Sequence, residues 1–460
     1  MTRKFKRVDY EAALQQTVTI EECLPPNHLA RFIVSVIARL DLRPLYARYA
    51  PIGGEAIDPV ILLGLLFYGY ATGVFSSRKL EKATLRQAQG RLHESIPFRF
   101  IAGGLHPDHD TLATFRKTFL PEIKALFVEV LLMAQEAGAL NLGNISLDGS
   151  KIHADASKSH AVSYGRLLEL ERALRQEVDE LFTLSEQLDR SDVPEGLNIA
   201  DEIAFREGRL VHLAQAKAVL HARAEERYQA EQADYAAKRR EREEKARRTG
   251  RKPPGRPPEP PTPGPRDSDQ YNFTDADSRI MKNSTNQGVD QHYNTQVAVD
   301  QESLLIVANT LSNHPNDQAE AIPTLDAIAP EVGKPQAGAL DNGYFSAHTI
   351  EQMEARGIEP YIATGRESHH RSWRTYFAEL PAPPPADASP REKMAYKLQT
   401  AIGKAIYALR KSTVEPVIGI IKEVLGFRQF SLRGLAAAAG EWCLVCLAFN
   451  LKRLHVLLTG

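Results

Sequence analysis

The sequence predicts an α/β core that is preceded by an all-α N-terminal domain and interrupted by an inserted antiparallel helical hairpin. Three observations lead to this prediction. Residues 1–140 carry apolar side chains at helical spacing, as at 29–40 and 60–70, without the alternation typical of a strand. Strand patterns are found around 145–147 and again after residue 290, with two long helical patterns between them. The length of 460 residues suits two or three domains.

The composition is that of a soluble globular protein, with 43% hydrophobic and 25% charged residues. Three cysteines offer no disulfide framework and fit a reducing cytoplasm, where we expect the protein. Cys443 and Cys446 lie in an apolar helical stretch, and we interpret them as core residues. We expect no signal peptide, because the early basic residues have no apolar core behind them. We expect no membrane span, because the C-terminal apolar run contains Glu441 and is interpreted as a buried helix.

The formal net charge of −1 hides a strongly basic segment. Residues 238–256 contain ten Lys or Arg and three Glu, a net charge of +7 over 19 residues. In the overlapping segment 253–265, eight of thirteen residues are proline, which predicts an extended polyproline-like linker. Its Gly-Arg-Pro core resembles the AT-hook, which inserts into the DNA minor groove. We therefore predict a DNA-contacting arm or, alternatively, a merely solubilising linker; the arm residues are Arg247, Arg248, Arg251 and Lys252.

Two further helical patterns have open interpretations. Residues 98–119 predict a helix, a Gly-Gly turn and a second helix that begins at an Asp110 cap. A DNA-binding helix-turn-helix would use Arg116 and Lys117 of that second helix, whereas the alternative is a plain helical bundle. Residues 162–250 predict the inserted helical hairpin, whose charged exterior we interpret as a solvated face.

Three acidic residues form the candidate site. Asp148 in ISLDGSKIHADASK and Asp341 in AGALDNGYFS each close a short apolar run and meet a glycine-containing turn. Glu415 lies in the helical pattern of YALRKSTVEPVIGIIK. Two strand-end aspartates and a helical glutamate make an oxygen-only cage for two hard divalent cations. Such a pair can activate water and stabilise the leaving oxygen of a phosphodiester. Each aspartate alone is also an ordinary turn residue.

The helix of Glu415 carries basic side chains close to the carboxylate. At about 100° per residue, Lys411 and Lys422 fall within about 40° of Glu415, and Tyr407 within about 80°. In the functional interpretation the carboxylate holds metal while the lysines hold phosphates. The alternative is a salt-bridged surface stripe.

The order of elements around these residues is strand, two-stranded hairpin, helix, strand, helix, strand, helix. This order fits a ribonuclease-H-like α/β fold. The predicted division is a helical N-terminal DNA-binding domain at 1–140, a catalytic core at 141–161 plus 271–460, a helical insertion at 162–250, and a basic Pro-rich linker at 251–270.

The motifs together resemble the DDE-type transposases of bacterial insertion sequences, in the subgroup with a helical N-terminal domain and a large insertion before the second aspartate. The matching stretches run from about residue 30 to the C-terminus: RFIAGGLHPDHDTLATFRK, LDGSKIHADASK, TDADSRIMK with YNTQVAVD, LDNGYFS, and YALRKSTVEPVIGIIK. The resemblance implies a ribonuclease-H-like core in which Asp148, Asp341 and Glu415 are catalytic and hold two Mg²⁺, with Mn²⁺ as a substitute.

The resemblance also implies the substrate and further site residues. Such an enzyme cuts DNA at the terminal inverted repeats of an element and joins the ends to target DNA, and we expect a homodimer in the active DNA complex. The family has a Tyr-x-x-Arg before the glutamate and a lysine seven residues after it, which Tyr407, Arg410 and Lys422 match. Arg410 lies five residues before Glu415 where the commoner spacing is four, and Lys411 occupies that position. Both are therefore candidate DNA contacts.

Two other functions remain open at this point. One is a transposase-derived DNA-binding protein without catalysis, which the long polar stretch at 85–95 keeps in play. The other is a metal-dependent nuclease of a repair or defence system. Short inverted repeats flanking the coding sequence favour a transposase over both.

Overall fold

The structure, a computed structural model, describes residues 19–50, 55–85, 92–187, 198–250, 255–283, 288–365 and 381–460. The chain divides into two compact units. Residues 1–155 with 280–460 form the first, which contains both the N-terminal helices and the main sheet. Residues 156–279 form the second, which contains the inserted helices.

The described part of the N-terminal region is helical, as predicted. Its helices are α1 (Ile20–Cys23), α2 (Leu29–Ile37), α3 (Arg43–Tyr46), α4 (Pro59–Ala71), α5 (Ser77–Thr84), α6 (Leu92–Ile101), α7 (His109–Thr118) and α8 (Leu120–Glu136). The start of α4 illustrates how the sequence sets a boundary. Asp58 accepts a hydrogen bond from the backbone N–H of Val60 at 2.9 Å, and Pro59 occupies the first helical position. Of the polar stretch at 85–95, residues 86–91 lie outside the described residues.

Helices α6 and α7 are joined by the predicted glycine turn, in which Gly103 and Gly104 have φ values of 58° and 85°. The cap of α7 differs from the prediction. Asp108 has an extended backbone and accepts a hydrogen bond from Thr111 N at 2.7 Å, while Asp110 lies inside the first turn. Asp108 is therefore the N-cap, because a capping residue must have a non-helical backbone.

Arg116 of α7, which the sequence suggests as a DNA contact, is buried in the structure. Arg116 is 6% exposed, and its Nη1 donates to the Tyr70 hydroxyl at 2.8 Å. The same guanidinium lies 3.6 Å from Glu441, which is fully buried and also accepts a hydrogen bond from Tyr70 at 3.0 Å. Arg116 is therefore engaged with a buried carboxylate inside the protein, which does not favour a phosphate contact. Lys117, the next residue, is exposed.

The strands in chain order are β1 (Asn144–His153), β2 (Ala161–Ser163), β3 (Gln270–Asn272), β4 (Arg279–Lys282), β5 (Val289–Asp300), β6 (Ile306–Ser312), β7 (Ala337–Leu340) and β8 (Glu359–Ile362). Six of them form one sheet in the order β4–β5–β1–β7–β8, with β6 paired to β5. Strand β1 is antiparallel to β5 and parallel to β7, which is parallel to β8. The first strand, the predicted hairpin and the two later strands are all present.

Strand β1 is longer than the sequence predicts. The prediction ends the strand at Leu147, so that Asp148 would lie at its edge. In the structure β1 continues to His153, which pairs with His292 of β5. Because β5 offers a hydrogen-bonding partner along this whole length, Gly149 does not end the strand. Asp148 is therefore an internal strand residue, opposite Val297.

The remaining helices of this unit are α11 (Ala321–Asp326), α12 (Ala347–Ala355), α13 (Pro390–Lys397), α14 (Ala401–Gly419) and α15 (Leu435–Thr459), and a π-helical turn, Ile420–Val424, follows α14. Among the described helices, α15 is long and apolar enough to cross a membrane by length and composition. Most of it is buried within the protein, so it is weak evidence for a membrane segment. Cys443 and Cys446 are buried free cysteines of α15, which confirms their core position.

The second unit contains α9 (Tyr164–Gln187) and α10 (Ile199–Thr249). Leu174 of α9 packs with Leu213 of α10, and Val178, further along α9, packs with Ile203, nearer the start of α10. This order of contacts makes the two helices antiparallel, as the hairpin prediction requires. Residues 255–265 of the proline-rich segment contain neither helix nor strand.

We expect Glu441 to be a determinant of stability for the first unit. Replacing it with Ala leaves Arg116 buried without a counter-charge, which costs about 3–5 kcal/mol for a buried pair. Urea unfolding of the full chain, followed by tryptophan fluorescence, measures the change.

The matched control is Glu136→Ala. Glu136 pairs with Arg39 at 2.9 Å on the surface, where the two side chains are 69% and 59% exposed. An exposed pair of this kind contributes about 1 kcal/mol or less. Equal destabilisation by the two variants would contradict a special role for Glu441.

Candidate active site

The sheet register places the two predicted aspartates side by side. The last residue pair between the parallel strands β1 and β7 is Leu147 with Leu340. The next residue of β1 is Asp148, and the residue after β7 is Asp341. Neighbouring strands lie about 4.8 Å apart, so consecutive positions of this kind are adjacent. Asp341 also accepts a hydrogen bond from Gly343 N at 2.7 Å, as an ordinary turn aspartate does.

Arg410 of α14 connects Asp148 to Glu415. Its Nη1 donates to Asp148 Oδ2 at 2.8 Å, and its Nη2 donates to Glu415 Oε1 at 2.9 Å. The side chains of Arg410, Asp148 and Glu415 are 10%, 20% and 45% exposed. One guanidinium therefore bridges a partly buried aspartate and a more exposed glutamate.

The charges of the three acids act on one another. Burial raises the pKa of the Asp148 carboxyl to about 6. Arg410 opposes this rise in pKa, whereas the negative charges of Asp341 and Glu415 add to it. The structure thus groups all three sequence-predicted carboxylates within electrostatic reach of one another.

The face of β1 that carries Asp148 also contacts α14 and the turn after it. Side chains alternate along a strand, so Ser146, Asp148 and Ser150 share one face. Ser146 Oγ accepts a hydrogen bond from Thr413 Oγ1 at 2.8 Å, and Ser150 Oγ accepts one from Lys422 Nζ at 2.9 Å. Partial burial lowers the pKa of Lys422. Lys422 therefore contacts Ser150, two residues after Asp148 on the same face of β1, and lies at the border of the site.

The other predicted DNA contacts are spread more widely. Tyr407 is half-buried, and Lys411 is exposed on α14 while Arg410 beside it faces the carboxylates. Arg247 is exposed near the end of α10. Arg251, Lys252 and the side chain of Arg248 lie outside the described residues.

The oxygen ligands of Asp148, Asp341 and Glu415 suit a hard divalent cation, although the three carboxylates are not arranged as a complete metal site in this structure. Within the described ranges, no group of three or more His, Cys, Asp or Glu is placed so that it could hold a metal ion. Carboxylate oxygens are nevertheless the ligands that Mg²⁺ and Mn²⁺ prefer. Arg410 supplies the positive charge between Asp148 and Glu415, and its buried Nε has no hydrogen-bond partner. The three acids therefore fit the metal in chemistry, and Arg410 is the group that a cation would displace.

Sequence reasoning missed a set of hydrogen-bonded polar residues beside the site, namely the buried Gln296 and Tyr344 and the half-buried Asp317. Gln296 is fully buried in β5, and it accepts a short hydrogen bond from the Tyr344 hydroxyl. Its Nε2 donates to Asp317 Oδ1 at 2.9 Å. The sequence did contain a signal for this network, namely the glutamine of the otherwise apolar strand pattern QVAV. A buried amide nearly always has a hydrogen-bond partner, so Gln296 indicates further polar residues nearby.

The raised pKa of Asp148 predicts a pH-dependent stability of the metal-free protein. The folded pKa of about 6 exceeds the ordinary value of 3.8, so the folded state binds more protons between these values. This group therefore lowers the free energy of unfolding as pH rises from about 4 to 6, by up to roughly 3 kcal/mol. Asp148→Asn, which does not titrate, should gain stability relative to the parent protein across that window and keep the gain above it. Urea unfolding in EDTA between pH 4 and 8 measures the difference, and a difference independent of pH would contradict the prediction.

Two family models match parts of this chain. Residues 385–455 match a family model described as a transposase DDE domain, and residues 18–118 match a transposase domain (DUF772). The first match includes Arg410, Glu415 and Lys422, while both aspartates lie outside it. No curated protein and no solved structure matches the chain.

The two matches lie on either side of the central strand that carries Asp148, within one compact unit. Together they support the assignment of this chain to the DDE-type transposases of insertion sequences.

Proposed function

We propose that the protein cuts DNA at the terminal inverted repeats of an insertion sequence and transfers the freed strands to target DNA. The observation that carries this proposal is the adjacency of Asp148 and Asp341 in the sheet register, with Glu415 joined to Asp148 through Arg410. Three carboxylates in this relation belong to a chain whose C-terminal part matches a transposase DDE domain.

The sheet supports a ribonuclease-H-like core. Its central strand β1 has an antiparallel hairpin, β5 and β6, on one side and the parallel strands β7 and β8 on the other. We propose that residues 141–161 plus 271–460 form this core and that residues 1–140 bind the element's ends. Lys117 is an exposed candidate contact of the N-terminal region.

Asp148, Asp341 and Glu415 would hold two Mg²⁺ or Mn²⁺ ions. Bound there, the ions would supply Lewis acidity at the scissile phosphate and lower the pKa of a coordinated water. The chain's own residues position the DNA strand. Lys422, Lys411 and Tyr407 lie on or just after the same helix and would contact phosphates, because ammonium and hydroxyl groups donate to phosphate oxygens.

Arg410 has a different role from these contacts. In the present structure it neutralises Asp148 and Glu415, which lowers the cost of grouping three carboxylates in a partly buried site. A divalent cation would compete for the same oxygens. Arg410, once displaced, would be free to contact the phosphate backbone, which is the role that the family resemblance implies for it.

We expect Asp148→Asn, Asp341→Asn and Glu415→Gln each to abolish strand cleavage, by a factor of at least about 10³, because these changes keep shape but remove the charge that divalent cations require. Cleavage of a labelled terminal-repeat duplex in Mg²⁺ or Mn²⁺ measures the loss. Ca²⁺, which prefers looser geometry, should not support cleavage.

The matched control is Asp326→Asn, since Asp326 is a partly exposed aspartate of the same unit that pairs with Arg356. It should cleave at the parent rate. All variants should bind the terminal-repeat duplex without metal. A folded Asp341→Asn protein that cleaves at the parent rate would rule out the mechanism. The absence of inverted repeats on either side of this protein's coding sequence would favour the nuclease alternative.

The basic arm should contribute affinity without sequence choice. Replacing Arg247, Arg248, Arg251 and Lys252 with Gln should weaken binding to unrelated duplexes equally and flatten the salt dependence by about 0.9 in log–log slope per lost phosphate contact. Fluorescence anisotropy over a salt series measures both effects.

Arg166 and Arg175 of α9 provide the control, since each is exposed and already paired with a glutamate. Their replacement with Gln should leave the slope unchanged. Selective loss of one DNA sequence in the arm variant would make the arm a sequence reader instead.

A further inference from the structure

A buried amide network links the strand of Asp148 to the turn of Asp341. Gln296 of β5 lies opposite Gly149 of β1, and Asn294 lies opposite Lys151. Both polar side chains are at most 1% exposed. Because Gly149 and Asp148 are consecutive strand residues, Gln296 lies on the face opposite the Asp148 carboxylate. The network therefore lies on the face of the sheet opposite the Asp148 carboxylate and packs against the strand that carries it.

Gln296 uses both ends of its amide. Its Oε1 accepts the hydrogen bond from Tyr344, and its Nε2 donates to Asp317 Oδ1 at 2.9 Å and to Asn294 Oδ1 at 3.3 Å. Asn294 Nδ2 donates to the same Asp317 oxygen at 2.7 Å. Asp317 thus serves as a double acceptor that fixes the orientation of both amides.

Tyr344 connects this hydrogen-bonded network to the turn of Asp341. It is fully buried and ends the 3₁₀ turn Asn342–Tyr344, which Asp341 caps. Its backbone N–H donates to the carbonyl of Asp341 at 3.4 Å. Fixing the Tyr344 hydroxyl therefore restricts the turn from which the Asp341 carboxylate projects.

Two glycines leave the room that this arrangement needs. A Cβ on Gly149 would lie 2.3 Å from Gln296 Nε2, so any other residue would push the amide away. A Cβ on Gly343 would lie 3.0 Å from Asp341 Oδ1 and 3.8 Å from Asp317 Oδ2. Both close approaches lie beside the two candidate metal-binding aspartates.

We propose that Gln296, held by Asp317 and Tyr344, is a positioning residue that fixes the Asp341 carboxylate relative to Asp148. The inference rests on the proposed function, since it assigns the network to that site. Gln296 touches no reacting atom. Its effect is to hold two carboxylates at a spacing that divalent cations can bridge, and small displacements of ligands weaken metal binding strongly.

The test measures Mn²⁺ binding to the full chain without DNA, by isothermal titration calorimetry. Tyr344→Phe removes one hydroxyl and keeps the ring, and Gln296→Met keeps the length of the side chain. Each should weaken Mn²⁺ binding by about tenfold, in the range found for supporting groups around metals. Cleavage should recover at high Mn²⁺, whereas the Kd for the terminal-repeat duplex should stay at the parent value.

Tyr361→Phe is the control, because Tyr361 is a buried tyrosine of the adjacent strand β8. It should bind Mn²⁺ like the parent protein. Thermal unfolding identifies variants that lose the fold, and Tyr344→Phe, the smallest change, keeps the question answerable if Gln296→Met unfolds. A folded Tyr344→Phe protein with parent Mn²⁺ affinity overturns the proposal.

Asp317 separates positioning from direct metal binding. Asp317→Asn keeps an oxygen acceptor for both amides, so it should bind Mn²⁺ nearly as the parent does, while Asp317→Ala should not. Equal loss in both variants would make the charge itself necessary and Asp317 a ligand, contrary to the proposal. If Asp341→Asn cleaves normally, the proposed function fails. If Asp341→Asn is inactive while Tyr344→Phe keeps the parent Mn²⁺ affinity, only the positioning inference fails.

Discussion

The pairing of strand β1 with both of its neighbours determines where every part of the candidate site lies. Its parallel pairing with β7 ends at Leu147 and Leu340, so the next residue on each side is an aspartate. Its antiparallel pairing with β5 continues to His153 and keeps Asp148 inside a regular strand. Because side chains alternate, a slip of one residue would turn Asp148 away from α14 and bring Gly149 to that face.

Charge is the second constraint, and the position of Arg410 relative to Glu415 agrees with it. Five residues before Glu415, Arg410 is rotated by about 140° from it around the helix, whereas Lys411 is within about 40°. The position of Arg410 faces β1, so its long side chain can reach Asp148 and Glu415 at once. Lys411, at the other position, is exposed. The five-residue spacing is thus compatible with a site that must remain stable when three acids are grouped without their ions.

Local patterns predicted most elements, and long-range contacts explain the errors. The helix Leu29–Ile37 and the hairpin strands Val289–Asp300 and Ile306–Ser312 follow from apolar spacing, which depends only on nearby residues. The extension of β1 past Asp148 depends on its partner β5, far along the chain. The burial of Arg116 depends on Glu441, more than 300 residues away. The buried position of Gln296 is explained only by its hydrogen bonds to Tyr344 and Asp317. A sequence shows that a residue is polar, but its partner decides whether it faces solvent, DNA or a buried acid.

The buried cluster of Tyr70, Arg116 and Glu441 bears on the DNA recognition that we propose for the N-terminal helices. Glu441 accepts hydrogen bonds from Tyr70 and from the backbone of Ser431 and Leu432, so α4, α7 and the segment before α15 share one polar centre. Separating the N-terminal region from the rest would leave Arg116 buried without its acid or force it into water, and either change alters α7. The helix that carries Lys117 is therefore held in place by a residue of the last helix. The end recognition proposed for this region would accordingly depend on the whole chain, and an isolated fragment of residues 1–140 would contain a helix that has lost its buried counter-charge.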